Sequence, residues 1–202
     1  MTDWLAPGAL AAAADTFAQM AIGAVSLERA LDRDAVATLR GQLERESFVP
    51  FRLLDRGRYA ELDEPPTAAA SLIEALRQGA ELVTQTRLAV ASARCLRLSR
   101  GDYMLSRDDQ LRHAALPDTR IDVIADLSAS ASGEGQVVYA YRGENIFAAP
   151  NIGGAMAIVG RRAGVTCYDR YLSSRAPERP IYRLRLTLLR STVAPTAPPA
   201  SQ

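Results

Sequence analysis

The stretch Arg120-Ile121-Asp122-Val123-Ile124-Ala125-Asp126-Leu127 carries the fold in its spacing. Ile121, Val123, Ala125 and Leu127 alternate with Arg120, Asp122, Ile124 and Asp126, and a period of two places successive side chains on opposite faces of an extended strand. Leu184, Leu186 and Leu188 alternate in the same way with Arg183, Arg185 and Thr187, as do Leu96 and Leu98 with Arg97 and Ser99. Each strand therefore has one apolar face and one polar, largely charged face. Further apolar runs occupy residues 136–141, 146–148, 155–159 and 165–171. Seven or eight strands thus follow one another from about residue 87, with no helical pattern between them. A jelly roll or related sandwich is the natural closure for that count.

Upstream the apolar spacing is helical. Residues 8–22 are Ala-rich, and Asp32 is placed to cap a second helix in which Val36, Leu39 and Leu43 share a face, with Leu31 before the cap as a hydrophobic staple. Residues 48–54 read as a strand. Pro65-Pro66 marks a break, and Thr67 can cap a third helix carrying Leu72, Ile73, Leu76, Ala80 and Val83. These helices are expected to brace the sheet. The reading is an α+β chain with one domain over residues 1–190, helical to about residue 85 and β from about 86 to 190. The Pro-rich tail, residues 191–202, is too poor in apolar side chains to order itself.

Of the 202 residues, 48% are hydrophobic and 23% charged, with a formal net charge of +1, a balance suited to a globular core. Near-neutrality argues against a phosphate-backbone partner, so no nucleic acid is expected. Asp15 and Gln19 interrupt the Ala-rich stretch where a membrane or secretory segment would stay apolar. No membrane association and a cytoplasmic location are therefore expected. All 24 basic residues are Arg; without lysine there is no Schiff base, pyridoxal anchor or Walker-loop cation. His113 is the single histidine, which excludes three-His zinc sites and two-His-one-carboxylate iron triads assembled from this chain alone. Cys95 and Cys167 lie far apart in sequence and indicate neither a zinc knuckle nor a disulfide framework. The Arg-only, Ala-rich composition suits a GC-rich bacterial genome.

Five segments, taken in order, resemble the 2-oxoglutarate and Fe(II)-dependent dioxygenases, especially their prolyl-hydroxylase-like branch. They are the run from Arg100-Gly101-Asp102-Tyr103 to Arg107-Asp108-Asp109, the Arg120 to Ser128 strand, Gly133-Glu134-Gly135 leading into Tyr139, Pro150-Asn151-Ile152-Gly153 leading into Val159, and the Arg-bearing strand from Arg183 to Leu189. The pattern covers roughly residues 25–190. It implies a double-stranded β-helix, a cupin-like jelly roll, braced by N-terminal helices. It also implies a metal motif, His-X-Asp followed much later by a second His, and here the sequence departs from the family: the matching positions read Arg107-Asp108-Asp109 and Thr166. A guanidinium has no lone pair to offer and stays charged. At about 4 Å from a dication and an effective dielectric near 20, it would repel the metal by roughly 8 kcal/mol, nearly six powers of ten in affinity.

These departures point to a protein that has lost iron and oxygen chemistry and keeps a polar pocket with no metal and no cofactor. Arg107 would supply the positive charge that the metal supplies in the family and pair with Asp109. The resemblance places Arg183 or Arg185 where the family binds the 5-carboxylate of 2-oxoglutarate, and an interval of two keeps both on one face. A carboxylate-bearing small molecule is the ligand this implies. Candidate catalytic residues are Asp109 as base or ion-pair partner, Arg107 as charge stabiliser, and Tyr103 and His113 as proton donors. Candidate substrate-binding residues are Arg183, Arg185, Thr166, Tyr168 and Arg120.

The expected function is a metal-independent tailoring enzyme of small-molecule biosynthesis, acting by cyclisation, elimination, addition or isomerisation. One alternative is a pseudoenzyme that binds a ligand, a partner subunit or a second copy of itself; another is an oxygenase with an unorthodox metal site. Plainer readings stand beside these. Charged faces of antiparallel sheets more often face solvent, a lone histidine in a loop over residues 109–114 is most often a surface residue, and Cys167 reads as a small buried apolar residue. A metal site made of Asp108, Asp109 and His113 would lack the family's geometry. The enzyme reading requires Arg107 and Asp109 to meet in a solvent-accessible cavity.

Overall fold

Capping and apolar spacing set the helices. Asp32 precedes α2 (Arg33–Leu43), and its carboxylate accepts from the backbone N–H of Asp34 at 3.1 Å and of Ala35 at 2.8 Å, a cap worth about 1 kcal/mol. Val36, Leu39 and Leu43 are buried along one face, and Leu31 is buried beside them. Helix α3 (Ala70–Thr84) buries Leu72, Leu76, Ala80 and Val83, while Ile73 is partly buried against the same core. It is entered through a 3-10 turn, Thr67–Ala69, with Pro66 before it; Thr67 makes no side-chain cap. The N-terminal helix is shorter than its composition suggests, α1 (Ala13–Gln19).

The computed structural model describes residues 4–5, 10, 12–20, 22–62, 64–129, 131–176 and 178–191. Its strands are β1 (Ala24–Leu27), β2 (Val49–Leu53), β3 (Gly57–Leu62), β4 (Leu88–Leu98), β5 (Tyr103–Met104), β6 (Arg120–Asp126), β7 (Ser132–Tyr141), β8 (Glu144–Asn151), β9 (Met156–Arg161), β10 (Val165–Asp169) and β11 (Ile181–Arg190). A short helix, α4 (Ser106–Arg112), interrupts the strand series where a loop was expected. Strands β1 and β3 were not foreseen, and the expected disorder of the tail lies outside the described residues from 192 onward.

From β4 onward the chain crosses between two antiparallel sheets at every connection except the β7–β8 hairpin. One holds β4, β11, β6 and β9 in that order, the other β5, β10, β7 and β8. That alternation is the double-stranded β-helix the resemblance implied. Strand β3 bridges the two sheets, pairing with β4 through Ala60, Glu61 and Leu62 and with β5 through Gly57 and Arg58. Strand β1 extends the first sheet beyond β9, and β2 pairs with β3. No helix among the described residues is long and apolar enough to cross a membrane.

The helices cover the outer face of the first sheet. Val123, Ala125 and Leu127 of β6 and its extension, with Leu184, Leu186 and Leu188 of β11, share one core with Leu72, Leu76 and Val83. Truncating a fully buried leucine such as Leu76 to Ala would cost about 2–5 kcal/mol. With their apolar sides committed to the helices, the polar sides of β6 and β11 turn inward, into the barrel. Alternation therefore placed these faces correctly, but the charged face is an enclosed interior and not a solvent surface.

Candidate functional site

The barrel interior is an ion-pair network. At its centre, Asp169 of β10 is fully buried and accepts from two arginines of β11. Arg185 Nη2 lies 2.6 Å from each of its carboxylate oxygens, and Arg183 Nη1 donates to Oδ1. Arg183 also donates to the carbonyl of Gly135 and lies 3.9 Å from Asp126. Burial raises the pKa of Asp126 above the ordinary carboxylate value, against the pull of Arg183 and Ser128.

A second group lies toward the end of the barrel where α4 sits. Arg161, at the end of β9, donates through Nη2 to Asp109 at 2.8 Å and to the Val165 carbonyl at 2.7 Å, and through Nη1 to Asp122 at 2.8 Å. Asp122 also accepts from the Tyr139 hydroxyl at 3.1 Å. His113 stands between Asp109 and Thr187: Nδ1 is 3.1 Å from Asp109 Oδ1 and Nε2 is 3.2 Å from Thr187 Oγ1. Burial opposes ionisation of Asp109, but hydrogen bonds from His113 and Arg161 outweigh it and hold the carboxyl far below its usual range. Burial pushes the Cys167 thiol up to about 12, with the neighbouring Asp109 charge acting in the same direction, so it is an inert packed residue and no nucleophile.

Between these groups the residual cavity measures about 20 Å³, bounded by Asp109, His113, Asp122, Tyr139, Arg185 and Thr187 among others. That is room for about one water molecule, whereas small-molecule sites typically occupy roughly 300–1,000 Å³.

Of the residues singled out in the sequence, Asp109, His113, Arg183 and Arg185 meet in this interior. His113 is a correction: it follows the last residue of α4 and its side chain is only 9% exposed, because Asp109 and Thr187 hold it inward. Arg107 is a larger one. It projects from the outer side of α4, 63% exposed, and pairs with Asp55 at 3.1 Å, not with Asp109. Two positions along a helix turn the side chain by about 200°, so with Asp108 and Asp109 taking the buried sides of α4, Arg107 is left pointing outward.

Asp108 faces away from Asp109. Its carboxylate accepts from Arg56 at 2.8 Å, Tyr59 at 2.9 Å and Arg112 at 2.9 Å, so the two aspartates and His113 do not converge. Thr166 and Tyr168 lie on the outer face of β10, whose inward residues are Val165, Cys167 and Asp169. The Thr166 hydroxyl approaches the Ala140 carbonyl at 3.4 Å, and the Tyr168 hydroxyl donates to Asn145 at 3.0 Å. Tyr103 is on the opposite side of β5 from the buried Met104, its ring 6.4 Å from that of exposed Tyr171. Arg120 sits at the rim, 3.8 Å from Asp122.

Arg161, Asp169 and Thr187 were not picked from sequence. Strand β9 is apolar on both faces until Gly160, which hides the inward phase of Arg161. For Asp169 and Thr187 the signal existed: continuing the alternation from Val165 and Cys167, and from Arg183 and Arg185, reaches them.

No protein-family model and no curated protein matches this sequence. Solved structures do match in fold. A prolyl-4-hydroxylase from Pseudomonas putida is 17% identical with a TM-score of 0.63, covering 90% of this chain and 99% of that one. An oxidoreductase of the 2OG-Fe(II) oxygenase family from Burkholderia pseudomallei is 14% identical with a TM-score of 0.66, covering 94% and 95%. The non-haem alpha-ketoglutarate-dependent epimerase SnoN from nogalamycin biosynthesis is 13% identical with a TM-score of 0.62, covering 92% and 84%. The chain has the fold of the 2-oxoglutarate/Fe(II) oxygenases.

The iron and oxoacid that this fold holds elsewhere do not suit the residues present here. Among the described residues, no three His, Cys, Asp or Glu side chains gather where they could hold a metal ion. Asp109, the carboxylate nearest to His113, is already engaged by the guanidinium of Arg161, and the arginines that could receive an oxoacid carboxylate already hold Asp169.

Proposed function

We propose that this protein is a pseudo-oxygenase: a metal-independent binding protein on the 2-oxoglutarate oxygenase scaffold. One observation carries the reading. The carboxylate of Asp169 is bound by both Arg183 and Arg185, the two side chains that the family resemblance assigns to an oxoacid carboxylate, and the cavity between Asp109, His113 and Arg185 is about 20 Å³. A dicarboxylate would have to displace a buried, doubly paired aspartate, and a metal would have to enter beside Arg161.

In this reading the polar interior acts as a specific core. Buried ion pairs contribute little net stability but are costly to break singly, so the network fixes how the two sheets meet. The test is an anaerobic titration of the purified chain with Fe(II) and 2-oxoglutarate, followed by the charge-transfer absorbance of the ternary complex and by metal analysis. The expected result is no band and no retained iron. A band with about one iron per chain would overturn the proposal and return the protein to the oxygenases with a new ligand set.

A second reading, metal-free acid–base catalysis by a tailoring enzyme, is favoured by one feature. His113 is held between Asp109 and Thr187, an arrangement in which the carboxylate orients an imidazole that exchanges a proton with a hydroxyl. The fold likeness to an epimerase of nogalamycin biosynthesis supports a biosynthetic setting for it. This chemistry requires the barrel to open. Alkylation of Cys167, inside the barrel, against Cys95, buried in the helix-covered core, measures that opening. Selective labelling of Cys167 in the native protein would favour the enzyme, and equal protection of both thiols the binding protein.

A further inference from the structure

A cavity of about 350 Å³ lies on the rim of the barrel, between the end of α1, the entry to β1, the start of β6 and the ends of β9 and β11. Its walls divide by chemistry. Phe17, Ile22 and Ile121 present apolar surface, Arg120, Arg161, Arg162 and Arg190 also line it, and among the described residues no acidic side chain does.

The charge around it is not balanced. Arg161 is turned into the interior, where it holds Asp109 and Asp122, and so forms the wall between rim and core. Arg120 shares Asp122 with it through Nε, at 3.8 Å and too long for a hydrogen bond, and among the described residues donates a single side-chain hydrogen bond, from Nη1 to the Pro117 carbonyl at 3.3 Å; its buried Nε has no hydrogen-bond partner. Arg190 is exposed and forms no ion pair among the described residues. Four arginines therefore line the cavity, while the two carboxylates that Arg161 holds, Asp109 and Asp122, are not part of its lining. An arginine side chain that is nine-tenths buried with unused donors costs free energy unless an acceptor meets it.

We propose that this rim cavity binds a small amphipathic anion, a carboxylate or phosphate monoester carried on an apolar chain or ring. The anionic head would take donors from Arg120 and Arg190, and the apolar body would lie against Phe17, Ile22 and Ile121. The volume is at the small end of ligand sites, about 300–1,000 Å³, which suits a medium-length acyl chain or a bicyclic aryl acid. The inference deepens the binding-protein reading by naming a ligand class, and it rests on that reading in taking the interior as closed. It also moves the carboxylate expected from the sequence out of the barrel and onto its rim.

Calorimetry with decanoate, octyl phosphate and the neutral analogue decanol tests it on the full chain. Decanoate or octyl phosphate should bind about tenfold or more tightly than decanol, a difference of about 1.4 kcal/mol. Arg190→Gln should weaken the anions about tenfold without lowering the melting temperature, because that side chain is exposed and makes no hydrogen bond or ion pair among the described residues. Arg120→Gln gives a second reading of the same loss. Equal affinity for decanol and decanoate, no binding of either anion, or unchanged affinity in both variants would overturn the proposal. If the anions fail while the Fe(II) titration stays silent, the rim site alone is wrong. If iron binds while decanoate also binds at the rim, only the reading of the interior is wrong.

Discussion

Removing one carboxylate should both destabilise this protein and create an anion site. Asp169 is the group that satisfies Arg183 and Arg185, and its side chain is completely buried. In Asp169→Ala, Arg185 loses both short contacts, and Arg183 keeps only the Gly135 carbonyl and the more distant Asp126 at 3.9 Å. Breaking a buried pair by removing one partner costs about 3–5 kcal/mol. For a chain of this length each kcal/mol moves the melting temperature by roughly 2–4 °C, so a fall on the order of 10 °C is expected in a thermal melt.

The variant also leaves a carboxylate-sized gap facing two guanidinium groups, which acetate or formate should enter. At ten times its dissociation constant, such an anion restores roughly 1.4 kcal/mol by mass action. Asp169→Asn fills the same space without charge, so it should lose stability but show no rescue. The comparison of three melts, with and without acetate, decides the matter. A loss in Asp169→Ala below about 1 kcal/mol would show that the aspartate does not hold the arginines. Equal acetate effects on wild type and variant would show that no site was opened.

Three further outcomes follow from the same geometry. Gly153→Ala would bring a Cβ to 2.1 Å from the Ser128 carbonyl oxygen, a backbone collision expected to cost about 1–3 kcal/mol or more in a urea melt; a smaller loss would mean that the β8–β9 turn is free to shift. Arg107→Ala, on an exposed residue paired with exposed Asp55, should change stability by less than about 0.5 kcal/mol. For the same reason the double variant Arg107→His/Thr166→His, which the family resemblance would select, should gain no Fe(II) affinity in metal analysis, because both imidazoles would lie outside the barrel.

The pH dependence separates two aspartates. Asp109 titrates far below its unfolded value of about 3.9, so in that window the unfolded chain binds a proton that the native chain does not, and stability rises with pH. Its contribution is complete above about pH 5 and is lost as acid approaches the folded value. Asp126 is raised, binds its proton first in the native state and has the opposite slope. Urea midpoints below pH 5 should therefore fall less steeply in Asp109→Asn than in wild type, and more steeply in Asp126→Asn. Parallel curves for all three proteins would contradict the assignment.

Much of this was legible in the sequence because alternation is a local property. The pattern Ile121, Val123, Ala125 against Asp122 and Asp126 fixed which residues of β6 share a face, Asp32 announced the start of α2, and the sequence of strands from residue 88 matches the alternating sheets. The shared inward phase of Arg183 and Arg185 followed from their interval of two. The site was less legible. Reading Arg107 as an inward cation rested on matching it to the family's metal motif, but α4 begins at Ser106 and turns that side chain outward.

What the sequence determined by itself is the set of faces, the order of strands and the presence of a single histidine, since each depends on residue identity and near-neighbour spacing. Only the tertiary structure decided which face is enclosed and which charges meet. Arg161 and Asp109 are 52 positions apart, and Arg185 and Asp169 lie on strands of different sheets. Their pairing depends on how the two sheets close and which element fills the space, and a strand's periodicity records neither. Closure around β10 and β11 brings the chain's own aspartate to the arginines, and with all three side chains buried each depends on the other for its partner.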